Sequence, residues 1–364
     1  KIGGNLSPDG CKSINWKGLV IAPGLVDMHV HLRDPGFTYK EDIISGCESA
    51  AAGGVTSVLC MPNTNPAIDS EETVTYIKEK AESAKSKVYP VCSITKGLKG
   101  EELCDYEKLK NAGAVAVSDD GRPVKNAKMM KQAMINAENC GMLTISHCED
   151  LYIIYGGIIN EGEVSKTLGV KGMDRCSEDT ITAREIILAE NAGTRIHMAH
   201  VSTKGSVQLR REAKKRGVKV TCETAPHYMM MTDEMLLKKD ADYRMNPPLR
   251  CEDDVKAIIE GVLDGTIDVI ATDHAPHSVE EKSDFLKSPN GIVGLETSLS
   301  ACITVLCKKY GMSIDALIEK MSINPSKITG IRAGSLRKGS PADIVVFDMD
   351  KQWTVNPDNF KSQA

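Results

Sequence analysis

Two histidines one residue apart, His29 and His31, stand inside the apolar run Leu25 to Leu32. In an extended strand, side chains two apart project to the same face, so both imidazoles can reach one metal ion, and Arg33 continues the row. A His-x-His pair also occurs as two satisfied core histidines, so the pair alone decides nothing. Placement carries more. Ser118-Asp119-Asp120-Gly121, His147 in Ser-His-Cys-Glu-Asp, His200 in Ala-His-Val-Ser and Thr272-Asp273-His274-Ala-Pro-His277 each fall at or near the end of another strand candidate. Four imidazoles and two carboxylates exceed what one zinc needs, whereas two metals bridged by a carboxylate and a hydroxide use them all. His197 and His200 are three apart and face opposite sides of an ideal strand, so only one points inward. His200 lies nearer the strand end, which leaves His197 as a buried structural histidine. Parity cannot choose between Asp119 and Asp120, because a strand end twists and either residue could cap the following turn.

Such residues need a scaffold that gathers strand ends. Eight short apolar runs provide one: Leu25 to Leu32, Thr56 to Met61, Val88 to Ile94, Ala114 to Ser118, Leu143 to His147, Arg195 to Val201, Val218 to Glu223 and Ile267 to Thr272. Amphipathic stretches such as Glu71 to Ala84, Lys125 to Asn139, Asp179 to Asn191 and Lys204 to Lys215 alternate with them, the pattern of parallel βαβ units. Eight repeats predict an α/β (β/α)8 TIM barrel over residues 23–333, with its active face at the C-terminal ends of the strands. An open doubly wound sheet is the rival architecture, but no Gly-rich phosphate loop follows the first strand. Gly18 to Ile21 and Ala342 to Asp348 read as strands that could pair, which predicts a small terminal β-domain from residues 1–22 and 334–364.

The motifs His29-Val-His-Leu-Arg-Asp-Pro-Gly36, Met61-Pro-Asn-Thr64, Ser118-Asp-Asp-Gly121, His147-Cys-Glu149, Ala199-His-Val-Ser202, Asn246-Pro-Pro-Leu-Arg250 and Thr272-Asp-His-Ala-Pro-His277 occur in this order. Together they resemble the cyclic amidohydrolases, and within them the dihydroorotases. The resemblance implies two Zn2+ per chain, one on His29 and His31 and the other on His147 and His200. It implies that Asp120 bridges them and that Asp273 is both ligand and catalytic acid/base. It also implies substrate contacts from His31, Arg33, Asn63, Asn246, His277 and the Asn290-Gly291 backbone. Hydantoinases, allantoinases and another branch of dihydroorotases bridge their metals with a carboxylated lysine from the fourth strand. Here that strand reads Ala-Val-Ala-Val-Ser-Asp-Asp, which fits the aspartate branch and predicts activity independent of added bicarbonate.

The implied reaction is the reversible cyclisation of N-carbamoyl-L-aspartate to dihydroorotate in pyrimidine biosynthesis. In the hydrolytic direction, two zincs would lower the pKa of a bridging water and polarise the ring carbonyl, with Asp273 passing the proton to the leaving nitrogen. The rigid donor fork of Arg33 suits a carboxylate, which dihydroorotate carries and hydantoin and allantoin lack; a local pair with Asp34 is the plainer reading. The competing functions are an allantoinase or a hydantoinase of dihydropyrimidinase type, and a non-catalytic barrel scaffold. All six expected ligands are present, which argues against the scaffold.

Lys and Arg total 45 against 50 Asp and Glu in 364 residues, a net charge of -5 that gives no electrostatic reason to expect nucleic acid or an anionic membrane. The 12 cysteines never form Cys-x-x-Cys, so reduced thiols and a cytoplasmic location are expected. No apolar run has membrane-span length, and Lys1 to Gly10 lacks the apolar core of a signal peptide. The chain opens on Lys1 rather than Met and closes on the polar stretch Asn359 to Ala364, so it is expected to continue past one or both ends. A homo-oligomer or a complex with aspartate transcarbamoylase is the partner expectation that the resemblance adds. Tyr228-Met-Met-Met231 reads as packing, since Met fills irregular gaps. His227 and His274 receive no role, and the charged segment Ser278 to Pro289 reads equally as a lid or a surface loop.

Overall fold

The computed structural model describes residue 10 and residues 13–364. The rest of the segment assigned to the terminal β-domain, residues 1–9, 11 and 12, lies outside the described residues. Eight parallel strands form one sheet: β2 (Leu25–Val30), β3 (Val55–Cys60), β4 (Lys87–Cys92), β5 (Ala116–Val117), β6 (Leu143–Ser146), β9 (Ile196–Met198), β10 (Val220–Thr224) and β11 (Val269–Ile270). Each overlaps a run read from the sequence; most are shorter, while β3 and β4 begin one residue earlier and β10 ends one residue later. Two small pairs lie outside the sheet. One is parallel, β7 (Ile159–Asn160) with β8 (Gly172–Met173), and the other antiparallel, β1 (Val20–Pro23) with β12 (Ile344–Phe347). The second pairs segments that overlap the two runs expected to pair, with the first strand set two residues later than Gly18 to Ile21.

Between β11 and β2 the ladder is replaced by a seam. Val30 and His274 form an isolated parallel bridge, and the His31 amide donates to the His274 carbonyl at 2.8 Å. Below it the buried Asp27 carboxylate accepts the Thr272 amide at 3.2 Å, standing in for a missing strand partner. Burial pushes this carboxyl up to about 6, against the hydrogen bonds from Thr272 and His29. The seam therefore sits directly under the first and last of the predicted ligand strands.

Inside the sheet Val26, Met28, Leu59, Met61, Val91, Ala116, Leu143, Ile145, Ala199, Val269 and Ala271 fill the barrel, with Ile331 packed among them. Outside, the helices bury a larger apolar layer against the strands. The helix Lys204–Lys215 shows why they form. Thr203 caps its first turn by accepting the Ser206 amide at 3.1 Å, and Val207, Arg210 and Ala213 turn one face inward. Among the described residues no helix is long and apolar enough to cross a membrane, and the described cysteines are all free thiols.

Candidate metal centre and active site

The upper ends of the strands deliver the predicted ligands to one point. His29 Nε2 lies 3.4 Å from Asp120 Oδ1 and 3.5 Å from Asp273 Oδ1. His31 Nε2 lies 3.2 Å from Asp273 Oδ1 and 3.5 Å from Asp120 Oδ2. On the far side of Asp120, Oδ1 is 3.3 Å from His147 Nδ1 and 3.6 Å from His200 Nε2, and these two nitrogens converge to 2.7 Å. Asp120 thus turns Oδ2 to His31 and Oδ1 to His29, His147 and His200, and stands among all four imidazoles.

The separations of 3.2–3.6 Å suit a metal, whereas the 2.7 Å between His147 Nδ1 and His200 Nε2 is that of a hydrogen bond and would have to open for both to hold one ion. With metal–nitrogen bonds of about 2.0–2.1 Å, tetrahedral ligand atoms sit roughly 3.3–3.5 Å apart. His29, His31 and Asp273 form one group able to share an ion, and His29, Asp120 and His200 form another. His29 Nε2 and Asp120 Oδ1 are buried and have no hydrogen-bond partner, which is costly unless something else satisfies them. Charge points the same way. Asp120, Asp273, Glu149 and Glu223 crowd the centre; burial works against ionisation, yet the surrounding histidines hold all four below the ordinary carboxylate range, Glu223 at about 2. Burial likewise opposes a charge on His147, but Asp120 and Glu149 outweigh it and raise that imidazole to about 10. Such a cluster is short of positive charge, and divalent cations supply it.

The sequence left Asp119 and Asp120 unresolved on parity, and the geometry separates them. Asp119 Oδ1 accepts the amides of Ile94 at 2.8 Å and Thr95 at 3.1 Å, and Thr95 Oγ1 bonds its other oxygen. It ties the segment that follows β4, while Asp120 faces the histidines. His200 enters the centre and His197 does not, but the parity argument was only partly the reason. The strand ends at Met198, and His200 follows it with φ +34°. Arg33 and Asp273 also have positive φ, at +58° and +49°. Three of the five described non-glycine residues in this region of backbone space are site residues, each just past a strand end. L side chains adopt it at a cost, here concentrated where side chains must be aimed.

Positive φ also means that Arg33 does not simply extend the β2 row. Its Nε donates to the Pro276 carbonyl at 3.1 Å, and its Nη2 lies 3.3 Å from His277 Nε2. That ring nitrogen faces the Asn290 carbonyl at 3.0 Å, while Nδ1 faces Lys40 Nζ at 3.1 Å. His277 therefore carries its proton on Nε2 and has no acceptor for Arg33. Burial, with Arg33 and Lys40 beside it, lowers His277 to about 3 and keeps it neutral. The local pair with Asp34 does not form: Asp34 bonds Tyr76 at 2.9 Å and Lys80. The terminal donors of Arg33 are left without a carboxylate partner among the described residues.

Asn63 Oδ1 meets His31 Nδ1 at 2.8 Å and its Nδ2 reaches Asp120 Oδ2 at 3.4 Å, so it orients ligands as well as facing the site. Asn246 Nδ2 donates to Glu149 Oε1 at 2.9 Å, leaving its buried Oδ1 unpartnered. Gly291 lies in the same wall, with its amide bonded to the Arg244 carbonyl and its carbonyl to Lys282 Nζ, both at 2.9 Å. The segment 278–289 is pinned there: Lys282 also reaches the Arg244 and Pro289 carbonyls, and Arg244 binds the Phe285 carbonyl at 2.6 Å and Asn290 Oδ1 at 3.3 Å.

Two acidic residues escaped the sequence reading. Glu149 Oε2 lies 3.2 Å from His147 Nε2, and Glu223 Oε1 lies 2.8 Å from His29 Nδ1. Both had a signal: Glu149 is two residues beyond a ligand, and Glu223 ends an otherwise apolar strand, where a buried carboxylate needs a partner. Of the unassigned histidines, His274 bridges the seam and accepts the Gly294 amide at 3.2 Å. His227 packs edge-on against Tyr228, with Nε2 unpartnered, and burial lowers it to about 4.

Comparison with known proteins fixes the family. The family model described as dihydro-orotase-like matches residues 18–206. A dihydroorotase of Geobacter metallireducens is 52% identical over 98% of this chain and 85% of its own length. One of Acetivibrio thermocellus is 50% identical over 100% of this chain and 86% of its own. The chain belongs to the dihydroorotase family. Among solved structures, an L-hydantoinase from Arthrobacter aurescens matches with a TM-score of 0.85 at 26% identity, covering 95% of this chain and 80% of its own. A dihydropyrimidinase from Brevibacillus agri matches with a TM-score of 0.87 at 24% identity, covering 100% and 83%. These barrels share the fold, while the dihydroorotases share half the sequence.

Proposed function

We propose that this dihydroorotase-family enzyme interconverts N-carbamoyl-L-aspartate and dihydroorotate at the centre formed by His29, His31, Asp120, His147, His200 and Asp273. The observation that carries the reading is the pairing of this ligand set with Arg33, a buried guanidinium without a carboxylate partner, anchored to Pro276 three residues past Asp273. Two Zn2+ ions are the proposed occupants, with His29, His31 and Asp273 facing one, His147 and His200 the other, and Asp120 between them. When bound, such ions supply Lewis acidity and lower the pKa of water at the centre toward neutrality.

The chain's own residues do the rest. Arg33 binds the substrate carboxylate through its terminal donors, with His277 and Asn290 shaping the wall beside it. Asn63, Asn246 and the Asn290-Gly291 strand complete the proposed contacts, and the unpartnered Asn246 Oδ1 is suited to accept a ring N–H. Asp273, held ionised by His29, His31 and His200 against the effect of burial, takes the proton from the attacking water. It then delivers that proton to the departing ring nitrogen as the amide bond opens. Ring closure runs the same transfers backward.

The catalytic unit is proposed as the barrel, residues 23–333, with the paired chain ends as a small terminal unit. A cytoplasmic location, a homo-oligomer and a complex with aspartate transcarbamoylase rest on the family resemblance alone. The deciding experiment assays dihydroorotate hydrolysis with hydantoin and allantoin in parallel and measures metal on the same sample. Turnover of dihydroorotate with about two zincs per chain supports the reading. Turnover of a neutral ring instead would remove Arg33 as carboxylate anchor and favour a hydantoinase-type activity. Metal without any turnover would favour the scaffold.

A further inference from the structure

Glu223 is the one carboxylate at the centre that touches two histidines on their outward nitrogens. Its Oε1 lies 2.8 Å from His29 Nδ1 and its Oε2 3.2 Å from His197 Nε2. Behind His197, Nδ1 meets Thr221 Oγ1 at 2.9 Å. His29 and His197 are 0% exposed and Glu223 1%, so no solvent replaces these partners. The protons can be placed by counting. Both oxygens of Glu223 face a ring nitrogen, and carboxylate oxygens accept, so the geometry calls for hydrogen on His29 Nδ1 and on His197 Nε2. His197 Nδ1 then accepts from the Thr221 hydroxyl. Every group in the row Thr221, His197, Glu223, His29 is satisfied by this arrangement except one. That atom is His29 Nε2, which faces Asp120 and Asp273 with no hydrogen bond of its own.

We infer that Glu223, braced by His197 and Thr221, is a positioning residue that fixes the tautomer and ring orientation of His29 so that Nε2 is presented to a metal ion. The row crosses from β9 through β10 to β2, and the outer two strands are not neighbours in the sheet. It therefore spans the barrel interior. A carboxylate behind a ligating imidazole raises its basicity as well as aiming it, and loss of such partners lowers metal affinity by roughly 10- to 100-fold. The three supported ligands are not equivalent. His29 and His147 are backed by carboxylates and His31 by the amide of Asn63, and the two carboxylate-backed rings both face Asp120 Oδ1.

This inference rests on the proposed metal centre, and the experiment separates the two. Zinc affinity is measured by chelator competition on the full chain, wild type and Glu223→Gln, alongside the Tm of each metal-free protein. A glutamine can accept from one imidazole but must turn its NH2 toward the other. The expected result is a zinc Kd raised roughly 10- to 100-fold with the metal-free Tm nearly unchanged. An unchanged Kd in a variant that folds overturns the positioning role. A wild type that binds no zinc overturns the metal reading itself. Should Glu223→Gln not fold, nitrogen-15 NMR of the histidines in zinc-loaded wild type decides: His29 protonated on Nδ1 and metal-bound through Nε2 supports the inference, and the opposite tautomer overturns it.

Discussion

The floor of the site and its wall are built by different means. The floor is made of side chains at strand ends, almost entirely buried, in which His29, His31 and His147 each gain a second anchor from Glu223, Asn63 and Glu149. The wall is made of loops after β2 and β11, held by charged side chains with one end in solvent. Lys40 bridges Glu281 at 2.9 Å, with 12% and 28% of the side chains exposed, and Tyr39 reaches the same carboxylate at 3.2 Å. A metal centre tolerates little error in ligand position, which suits the proposed one to the rigid sheet; the proposed recognition of the substrate's shape and charge falls to loops that vary more cheaply. Mutations in the two regions should accordingly separate chemistry from recognition.

The largest effect is expected at the floor. Asp273→Asn keeps the size and one ligating oxygen but cannot take a proton, so kcat should fall by about 10²–10⁴-fold while much of the metal is retained. Measuring zinc content and turnover on one preparation checks both halves, and near wild-type turnover would refute the acid/base role. Arg33→Ala comes next and tests the wall. Losing the partner of a buried carboxylate costs about 2–5 kcal/mol. In kcat/KM this is roughly 30- to 4,000-fold for dihydroorotate. If KM and kcat for dihydroorotate were both unchanged, Arg33 would be a structural residue and the proposed division between floor and wall would lose its main support.

The same division explains what could be read in the sequence. The eight strands were legible because their apolar, β-branched runs are short and regularly interrupted, and the proposed ligands stood out because they lie at or near the ends of those runs. The helix Lys204–Lys215 has its sequence-derived ends, because Thr203 and Gly217 mark them chemically. Less legible was anything set by a backbone that leaves the strand. Arg33, His200 and Asp273 take positive φ, and parity says nothing once the extended conformation stops. The supporting acids were hidden for a different reason: Glu223 reveals its role only through histidines contributed by other strands, and Glu149, two residues from His147, reads equally as a solvent-facing residue of the following turn. The seam was also invisible, since Asp27 looked like one more polar residue beside a ligand motif rather than the acceptor for Thr272 across the closing edge.

A smaller effect should come from the latch on the wall. Glu281→Gln removes the charge that holds Lys40 against His277 without touching the floor. Partly exposed pairs contribute about 0.2–1 kcal/mol, so the KM for dihydroorotate should rise by no more than about 5-fold with kcat nearly unchanged. The gap between wild type and variant should narrow in 1 M salt, where charges are screened within about 3 Å. A loss of kcat without a change in KM would place the latch in the chemistry and blur the comparison.

The last effect is read in stability rather than turnover and concerns the loop itself. Burial lowers the Lys282 ammonium to about 8, and its Nζ serves the carbonyls of Arg244, Pro289 and Gly291. An unfolded lysine titrates near 10.4. Between about pH 8 and 10 the folded chain has therefore given up a proton that the unfolded chain still holds. Stability rises with pH wherever the unfolded state binds more protons, so this residue's contribution becomes more favourable as pH increases through that window. Lys282→Met abolishes the titration and should lose that pH-dependent component. Urea unfolding of both proteins at pH 7.5 and pH 10 measures it as the change in their stability difference, with the wild type gaining on the variant at the higher pH. A difference that stays constant would mean that the loop opens enough for water to reach Lys282, and that the wall is looser than its hydrogen bonds suggest.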